Sequence, residues 1–281
     1  CSKLETSRFM SEEQLQAFYE RNDDPPASQA DWQQSHEQLL RGLESGRIRA
    51  AERAADGSWR AVMWVKRAIL TGFKNADVVR QGPIGQPPFW DKQSYPARSF
   101  EQQDLVRVVP GGTSVRRGAY VAAGVVVMPP AYVNVGAYVD AGTMIDSHAL
   151  VGSCAQVGKN VHLSAGAQIG GVLEPINASP VIIEDDVFVA ALCGVFEGFV
   201  VRERAVLATG VTLTAATVIY DLVHGVERRG EVPAGAVVVP GTRPASGAFA
   251  KERGLQVAAP MIVKYRDERT DASTALESAL R

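Results

Sequence analysis

Residues 109–169 form the stretch VPGGTSVRRGAYVAAGVVVMPPAYVNVGAYVDAGTMIDSHALVGSCAQVGKNVHLSAGAQI. Large aliphatic side chains recur in it at every sixth position, a period that belongs neither to a helix nor to an ordinary strand. These positions are Val109, Val115, Val121, Val127, Val133, Val139, Ile145, Val151, Val157, Leu163 and Ile169. A period of six predicts a coil of three short strands whose aliphatic side chains point into a narrow prism.

The residues between the aliphatic positions support this prediction. Smaller residues follow the second to the tenth of them four places later, at Ala119, Val125, Ala131, Ala137, Thr143, Ala149, Ala155, Val161 and Ala167. Glycines that we expect at the tight corners are Gly118, Gly124, Gly136, Gly142, Gly152 and Gly158. The predicted fold class is mainly β: a left-handed parallel β-helix of hexapeptide repeats, with a small α/β N-terminal domain and a short C-terminal cap.

The series breaks twice, and each break predicts a loop on the outside of the prism. It resumes at Ile183, Val189, Val195, Val201, Leu207, Leu213 and Ile219, and again at Val232 and Val238. The first gap contains Gly170 and Gly171, and the second contains Asp221, His224 and Arg228. Insertions in a solenoid usually carry binding, because the coils fix both of their ends.

The first hundred residues follow a different pattern. Helical spacing of apolar residues predicts helices near 11–19 and 29–43, and a third from Trp59 to Phe73 after a strand at 47–53. The proline-rich stretch 82–96 predicts an extended connection, and the C-terminus predicts a strand at 261–265 and a helix at 271–280. We therefore expect domains at 1–104, 105–245 and 246–281.

Composition limits the partners. Among 281 residues, 29 Lys and Arg face 31 Asp and Glu, which predicts no surface for nucleic acid or for an anionic membrane. No apolar run reaches the ~18 residues of a spanning helix, and the N-terminus lacks an export signal, so the expected location is cytoplasmic. A prism has no deep cavity, so a substrate site is expected between chains or under a loop. A closed ring of three chains, a homotrimer, fits a three-sided prism.

Two segments resemble a known family. Residues 132–175 read YVNVGAYVDAGTMIDSHALVGSCAQVGKNVHLSAGAQIGGVLEP, and residues 107–110 read RVVP. Both are similar to the tetrahydrodipicolinate N-succinyltransferases of the lysine and diaminopimelate pathway. Weaker similarity extends to WVKRA at 64–68 and to VPAG at 232–235. This likeness is more specific than the hexapeptide repeat, which many unrelated acyltransferases share.

The resemblance implies an N-acyltransferase that moves a succinyl or acetyl group from a CoA thioester to the amine of tetrahydrodipicolinate or a related amino acid. It implies a trimer that has succinyl-CoA or acetyl-CoA as co-substrate, and no tightly bound cofactor or metal is expected. Arg107 and Asp146 carry over as substrate contacts. A guanidinium holds a substrate carboxylate well, and a carboxylate can orient or deprotonate an ammonium before it attacks the thioester.

Further candidates stand beside these two residues. His148 does not match the family, which has Trp there, and is a candidate replacement base; Glu197 is a candidate substrate contact. CoA contacts are expected at Gly170, Gly171, Ala190 and Thr209. The alternatives are structural: Asp146 capping a corner turn, Arg107 in a surface ion pair, and a solenoid without catalysis. Cys154 and Cys193 have no neighbouring histidine to activate them, so we favour buried structural roles over a nucleophile.

The chain also departs from the family pattern. The family has Val-Asp-Thr-Trp where this chain has Ile145-Asp146-Ser147-His148, and Ala-Arg-Ser-Glu-Val-Val-Glu-Gly where it has ALCGVFEG after Ala190. Arg becomes Leu192, and a Glu becomes Gly194, which removes a charge and is expected to open space. The alternatives are therefore a diverged paralogue in a lysine-derived, tabtoxin-like pathway with another amine or acyl donor, or a module that binds CoA or an amino acid without turnover.

Overall fold

The computed structural model describes residues 10–21, 28–82, 89–267, 269 and 271. The helices are α1 (Glu12–Glu20), α2 (Gln29–Glu44), α3 (Met63–Asn75) and α4 (Ala248–Arg253), with a short 3-10 turn at Gln102–Asp104. Four N-terminal strands are β1 (Ala51–Arg53), β2 (Trp59–Ala61), β3 (Val78–Gln81) and β4 (Phe89–Lys92). They pair as two antiparallel hairpins, β1 with β2 and β3 with β4.

Short strands then follow at regular intervals. They are β5 (Arg107–Val108), β6 (Ser114–Val115), β7 (Tyr120–Val121), β8 (Val126–Val127), β9 (Tyr132–Val133), β10 (Tyr138–Val139), β11 (Met144–Ile145), β12 (Leu150–Val151), β13 (Gln156–Val157), β14 (His162–Leu163), β15 (Gln168–Ile169), β16 (Ile182–Ile183), β17 (Phe188–Val189), β18 (Gly194–Val195), β19 (Val200–Val201), β20 (Val206–Leu207) and β21 (Thr212–Leu213). The last strands are β22 (Val218–Asp221), β23 (Val226–Arg229), β24 (Glu231–Val232), β25 (Ala236–Val239), β26 (Thr242–Pro244), β27 (Gln256–Ala258) and β28 (Met261–Tyr265).

Each short strand pairs in parallel with the strand three places later in the chain, which gives the prism three faces. Face 1 holds β5, β8, β11, β14, β17, β20 and β25; face 2 holds β6, β9, β12, β15, β18 and β21; face 3 holds β7, β10, β13, β16, β19 and β24. We call the turns that leave face 1 edge 1–2, those that leave face 2 edge 2–3, and those that leave face 3 edge 3–1. The parallel β-helix that the six-residue period predicts is therefore confirmed.

From β6 onward, the second residue of each two-residue strand forms the core. Ile145, Leu163 and Ile169 are completely buried, and so are the small residues Ala119, Ala155 and Ala167 in the intervening positions. Each buried aliphatic side chain stabilises the fold by roughly 1.5–3 kcal/mol. The first aliphatic of the series is an exception, because Val109 lies just beyond β5 and is only half-buried.

All six predicted glycines lie in the corners between consecutive strands, but only four of them are left-handed. Gly118, Gly124, Gly136 and Gly142 have φ between 72° and 82°. In the corners of Gly152 and Gly158 the left-handed residues are instead Cys154 (φ 67°) and Asn160 (φ 53°). Gly152 is required for close approach, because a Cβ there would lie 2.1 Å from the amide nitrogen of Gly171. Gly158 has the same role against Asp185.

The two breaks in the series differ in structure. Between β15 and β16 the chain forms a loop, as predicted. The second break was expected to be a loop, but its ends are strands β22 and β23, which pair antiparallel over Val218–Arg229. Asp221 anchors this hairpin, because its Oδ2 atom accepts hydrogen bonds from His224 Nδ1, Arg228 Nε and Tyr265 Oη.

Helices α1 and α2 confirm the first two helix predictions. The third predicted helix begins too early, because Trp59–Ala61 pair with β1 and α3 starts only at Met63. Part of the predicted extended connection is strand β4, and residues 83–88 lie outside the described residues. The helices share a core with Val135 and Cys154, so this N-terminal unit packs against edge 2–3.

Strand β28 confirms the predicted closing strand and pairs with both β25 and β22. The helix predicted at 271–280 falls almost entirely outside the described residues. Between β25 and β28 lies a segment that the sequence did not predict, β26, α4 and β27, which we call the flap (residues 242–258). The division into three domains stays a prediction. Within the described chain, no helix is both long and apolar enough to cross a membrane.

Candidate active site

Edge 1–2 brings together four of the predicted site residues. Asp146 and His148 share one turn, and successive turns above it are joined by backbone hydrogen bonds from Gly166 to Ser147, from Leu192 to Ala165 and from Gly210 to Ala191. Ala190 occupies the position of Asp146 two coils higher, and Thr209 lies in the coil above that. With coils about 4.8 Å apart, Asp146 and Ala190 are separated by about 10 Å along the prism.

Asp146 is half-buried, and its two carboxylate oxygens differ. Oδ1 accepts a hydrogen bond from the Ser147 amide at 2.6 Å, so the turn-capping role that we considered is present. Asn134 and Asp140 cap the turns of other edges in the same way. Within the described structure Oδ2 of Asp146 accepts no hydrogen bond, which leaves one oxygen that can contact an ammonium group.

His148 is exposed at the corner of the same turn, with the left-handed φ of 62°. Its amide donates to Pro130 O, and its carbonyl oxygen accepts from Gln168 Nε2 at 3.1 Å. These contacts fix the backbone and leave the imidazole at the surface. No hydrogen bond between the His148 ring and Asp146 occurs in the described structure, so the two candidate catalytic groups lie near each other without forming a dyad.

Arg107 lies at the lower end of face 1, on the first strand of the prism. Strand β5 pairs with β8, and β8 pairs with β11, which places Arg107 two coils below Met144. The Arg107 side chain is exposed and forms no ion pair with any described residue, so the alternative of a surface ion pair within the chain finds no support. Its guanidinium is free to bind a carboxylate near the base of edge 1–2.

The three remaining predicted residues lie on a different edge. Gly170, Gly171 and Glu197 belong to edge 2–3, on the far side of face 2 from Asp146. Glu197 binds the next turn, because its Oε2 atom accepts from the Ala215 amide at 3.0 Å. A Cβ on Gly171 would lie 2.6 Å from the Ser153 amide nitrogen. Within one chain, these residues and Asp146 therefore do not form one site.

The loss of the family glutamate does not open space, contrary to our expectation. Gly194 is buried, and the ring of Phe196 lies over it: a Cβ on Gly194 would be 2.4 Å from Phe196 Cε2. The same ring covers Gly170, whose Cβ would be 2.6 Å from Phe196 Cδ1. The sequence shows the missing acid but not its replacement. The signal that could have indicated the replacement is Phe196, a bulky aromatic residue that stands two places after Gly194 and two places before Gly198.

Leu192 is the second departure, and it remains at the surface. Its side chain is on edge 1–2 with 70% of its area exposed. It leans towards the coil below, because a Cβ on Gly166 would lie 2.9 Å from Leu192 Cδ2. Gly166 lies between Leu192 and His148 on this edge. An apolar side chain therefore stands above the candidate catalytic turn where the family has a cation.

The two described cysteines, Cys154 and Cys193, are unsuited to nucleophilic catalysis. Cys154 is fully buried among apolar residues, and burial raises the pKa of its thiol to about 12. Burial also raises the pKa of Cys193, whose thiol donates to Ala208 O at 3.1 Å. Both thiols are therefore protonated near neutral pH. Across the residues that the structure describes, no group of three or more His, Cys, Asp or Glu could hold a metal ion.

Comparisons with known proteins agree with this architecture. Residues 11–74 match the family model described as tetrahydrodipicolinate N-succinyltransferase N-terminal, and residues 180–215 match that of the hexapeptide repeat of succinyl-transferase. Proteins named 2,3,4,5-tetrahydropyridine-2,6-dicarboxylate N-succinyltransferase are similar along most of the chain. The protein of Nitrobacter winogradskyi is 45% identical over 94% of this chain and 95% of its own length.

Two further relatives with that name extend the finding. The protein of Rhodopseudomonas palustris is 47% identical over 94% of this chain and 95% of its own length. That of Agrobacterium fabrum is 48% identical over 86% of both chains. With such identity along both chains, the protein described here belongs to the tetrahydrodipicolinate N-succinyltransferase family.

Proposed function

We propose that the chain is an acyl-CoA-dependent N-succinyltransferase that acts on tetrahydrodipicolinate. The observation that carries this proposal is the similarity along nearly the whole chain to relatives that are named for this activity. The geometry of edge 1–2 supports it, since one exposed edge presents a half-buried carboxylate, a surface imidazole and an apolar side chain in a single line. Arg107 at the base of this edge supplies a cation for a substrate carboxylate.

In the proposed reaction, water first adds to the ring imine of the acceptor, and the C–N bond breaks to give a ketone and a primary ammonium group. Arg107 binds a carboxylate of this ring-opened acceptor, and Asp146 Oδ2 binds its ammonium group. As Asp146 accepts a proton, the amine nitrogen attacks the thioester carbonyl carbon, and a tetrahedral oxyanion forms. Backbone N–H groups of the coil stabilise that oxyanion. The C–S bond then breaks, the nitrogen loses its second proton, and the CoA sulfur leaves and is protonated. No covalent acyl-enzyme is needed, in keeping with two buried, protonated cysteines.

We further propose that CoA extends upward along edge 1–2, past Ala190 and Thr209, to the flap. Backbone pairing stacks Asp146, Ser164, Ala190, Ala208 and Val239 in one column, which spans about 19 Å at the inter-strand spacing. This is the order of length of an extended pantetheine arm. The flap begins at the upper end of the column and carries Arg243, Lys251, Arg253 and an exposed Phe249. Cations and an aromatic ring suit phosphates and an adenine.

The proposed assembly is a homotrimer. Gly170, Gly171 and Glu197 lie on another edge from Asp146, so a site containing all of them requires a neighbouring chain. A closed three-fold ring would place edge 2–3 of one chain near edge 1–2 of the next. The proposed location is the cytoplasm, because two buried free cysteines suit a reducing compartment. Light scattering at several concentrations tests the assembly: a mass of three chains is expected, and a monomer would contradict it.

The release of CoA thiol tests the reaction. Purified protein is mixed with succinyl-CoA or acetyl-CoA, each with and without tetrahydrodipicolinate. We expect release that requires the acceptor and is faster with succinyl-CoA. A preference for acetyl-CoA would overturn the succinyl assignment and leave the acyltransferase assignment intact. Absence of release with either donor would overturn the enzyme proposal and favour a module that binds CoA without turnover.

A further inference from the structure

A cavity of about 310 Å³ separates the β1–β2 hairpin from edge 3–1 of the prism. Arg49, Arg53 and Trp59 line its hairpin side, and residues of face 3 and edge 3–1 line the other. Asp140, on the cavity side, precedes β11, and Asp146 follows it. The two residues lie on different edges of the prism, with face 1 between them, so this cavity is separate from the candidate active site.

Arg49 is held rigidly in this cavity. Its guanidinium carbon lies 3.7 Å from the centre of the Tyr138 ring, and its Nε atom donates to Gln156 Oε1 at 3.0 Å. Gln156 is itself fixed, because it is 1% exposed and its Nε2 atom donates to Cys154 O at 2.9 Å. The guanidinium is therefore preorganised, so the Arg49 side chain would lose little conformational entropy when a ligand pairs with it.

The same guanidinium lacks an ion-pair partner. No carboxylate oxygen of the described residues lies within 4.0 Å of Arg49, although Asp140 and Asp185 are near enough to act on it electrostatically. Burial lowers the pKa of Arg49, which shows that the charged form is poorly solvated here. A partly buried cation without an ion-pair partner is costly, so an anionic group of a ligand would be bound strongly in the gap.

The other walls of the cavity carry carboxylates with unused oxygens. Asp185 accepts a hydrogen bond from the Lys159 amide through Oδ1 only, and Glu203 is exposed without a side-chain partner among the described residues. Glu184 is different, because Trp59 Nε1, Arg202 and the Glu203 amide already occupy it. In total three cationic and four carboxylate side chains line the cavity, so a ligand with one net positive charge balances it.

We propose that this cavity binds a diamino carboxylic acid, whose carboxylate pairs with Arg49 and whose two ammonium groups pair with Asp185 and Glu203. Such a ligand has the required anion, two cations and a net charge of +1. Its alkyl chain would lie against Trp59. Because the cavity has walls from both the hairpin and the prism, the ligand would join the N-terminal unit to edge 3–1 and stabilise the folded chain by mass action.

Isothermal titration of the purified full chain tests the proposal, with L-ornithine and L-lysine as probes. We expect one ligand to bind per chain and the unfolding temperature to rise with ligand concentration. Cadaverine lacks the carboxylate and L-norleucine lacks the side-chain ammonium, so both should bind about tenfold or more weakly. Absence of saturable binding by both diamino acids, or equal binding of cadaverine, would overturn the proposal.

Variants separate this cavity from other sites. Arg49→Gln should weaken binding by about tenfold or more. Asp185→Asn should also weaken it, and this variant keeps an Oδ1 acceptor for Lys159, so it tests the site even where Arg49→Gln fails to fold. Arg60→Met is the matched control, because Arg60 is exposed on β2 and does not line the cavity. Unchanged affinity in a folded Arg49→Gln or in Asp185→Asn would overturn the proposal.

Asp146→Asn distinguishes this inference from the proposed function. The diamino acid should bind this variant as tightly as it binds the wild-type chain, because Asp146 is across face 1 from the cavity. Loss of binding in Asp146→Asn would show that the probe occupies the candidate active site, and the inference would then be wrong. Acyl transfer is measured separately, so failure of one proposal leaves the other open to its own test.

Discussion

The ring of Phe196 lies over Gly194 so closely that a Cβ on the glycine would come within 2.4 Å of Cε2. Gly194→Glu should therefore destabilise the chain by roughly 1–3 kcal/mol, because the ring must leave its place. Gly194→Glu with Phe196→Val should recover most of that loss relative to Phe196→Val alone. Urea unfolding of the wild type, both single variants and the double variant measures the coupling. Additive effects of the two substitutions would contradict this account.

Asp146 is expected to act on the acceptor through one oxygen and to cap its turn through the other. Asp146→Asn keeps an Oδ1 acceptor for the Ser147 amide but removes the charge, so stability should change little while kcat/KM falls by about 100-fold or more. Thiol release gives the rate and thermal unfolding gives the stability. Asn134→Asp is the matched control, since Asn134 caps a turn of edge 2–3 in the same way. Activity close to that of the wild type in Asp146→Asn would exclude the proposed role.

Among the described residues, His148 is the only imidazole on edge 1–2 beside Asp146. If it accepts the proton, His148→Ala should change the pH dependence of kcat/KM. His224→Ala serves as the control, because His224 binds Asp221 on the β22–β23 hairpin. The same pH profile in wild type and His148→Ala would rule out this histidine as the base and leave Asp146 or water.

His36 predicts how stability depends on pH. Its ring stacks on Trp32 at 5.1 Å, and burial lowers its pKa from 6.5 to about 4. The folded chain therefore keeps His36 neutral where the unfolded chain takes up a proton, so stability should fall as the pH drops from about 6.5 to about 4, by up to roughly 3 kcal/mol. Urea unfolding across this range should show a smaller slope for His36→Phe. An unchanged slope would contradict the assignment.

Lys66 ties helix α3 to the first insertion. The side chain is completely buried, and its ammonium donates to Pro175 O at 2.9 Å and to Ala178 O at 2.7 Å. Lys66→Met should leave those carbonyls without donors, so backbone amides near Ala178 should exchange hydrogen faster. Exchange measured by mass spectrometry on peptides from 170–181 tests this. Arg67→Met, on the exposed side of the same helix, should not change the exchange.

The sequence predicts the prism well because each inward position is set within six residues. The prediction fails where the conformation of a residue is set by contact with a part of the chain that is distant in sequence. Gly152 lacks a Cβ because the insertion at Gly171 returns against it, and Trp59 is a strand residue because β1 lies beside it. Neither contact has a local signature. The separation of Gly170 and Glu197 from Asp146 likewise depends on the edge that each turn occupies. Assigning a turn to its edge requires the order of all strands along the prism, including those on both sides of the first insertion.

On the proposed path of CoA, the column of turns from Asp146 to the flap acts as a ruler with marks about 4.8 Å apart, one for each coil. Its length is fixed by the number of coils between the reacting end and the flap, and not by any single side chain. Removing the eighteen residues of one coil would shorten the ruler by one mark and shift the choice of donor towards thioesters with shorter arms. In this fold, donor length is therefore a property that repeat number can change without altering a catalytic residue.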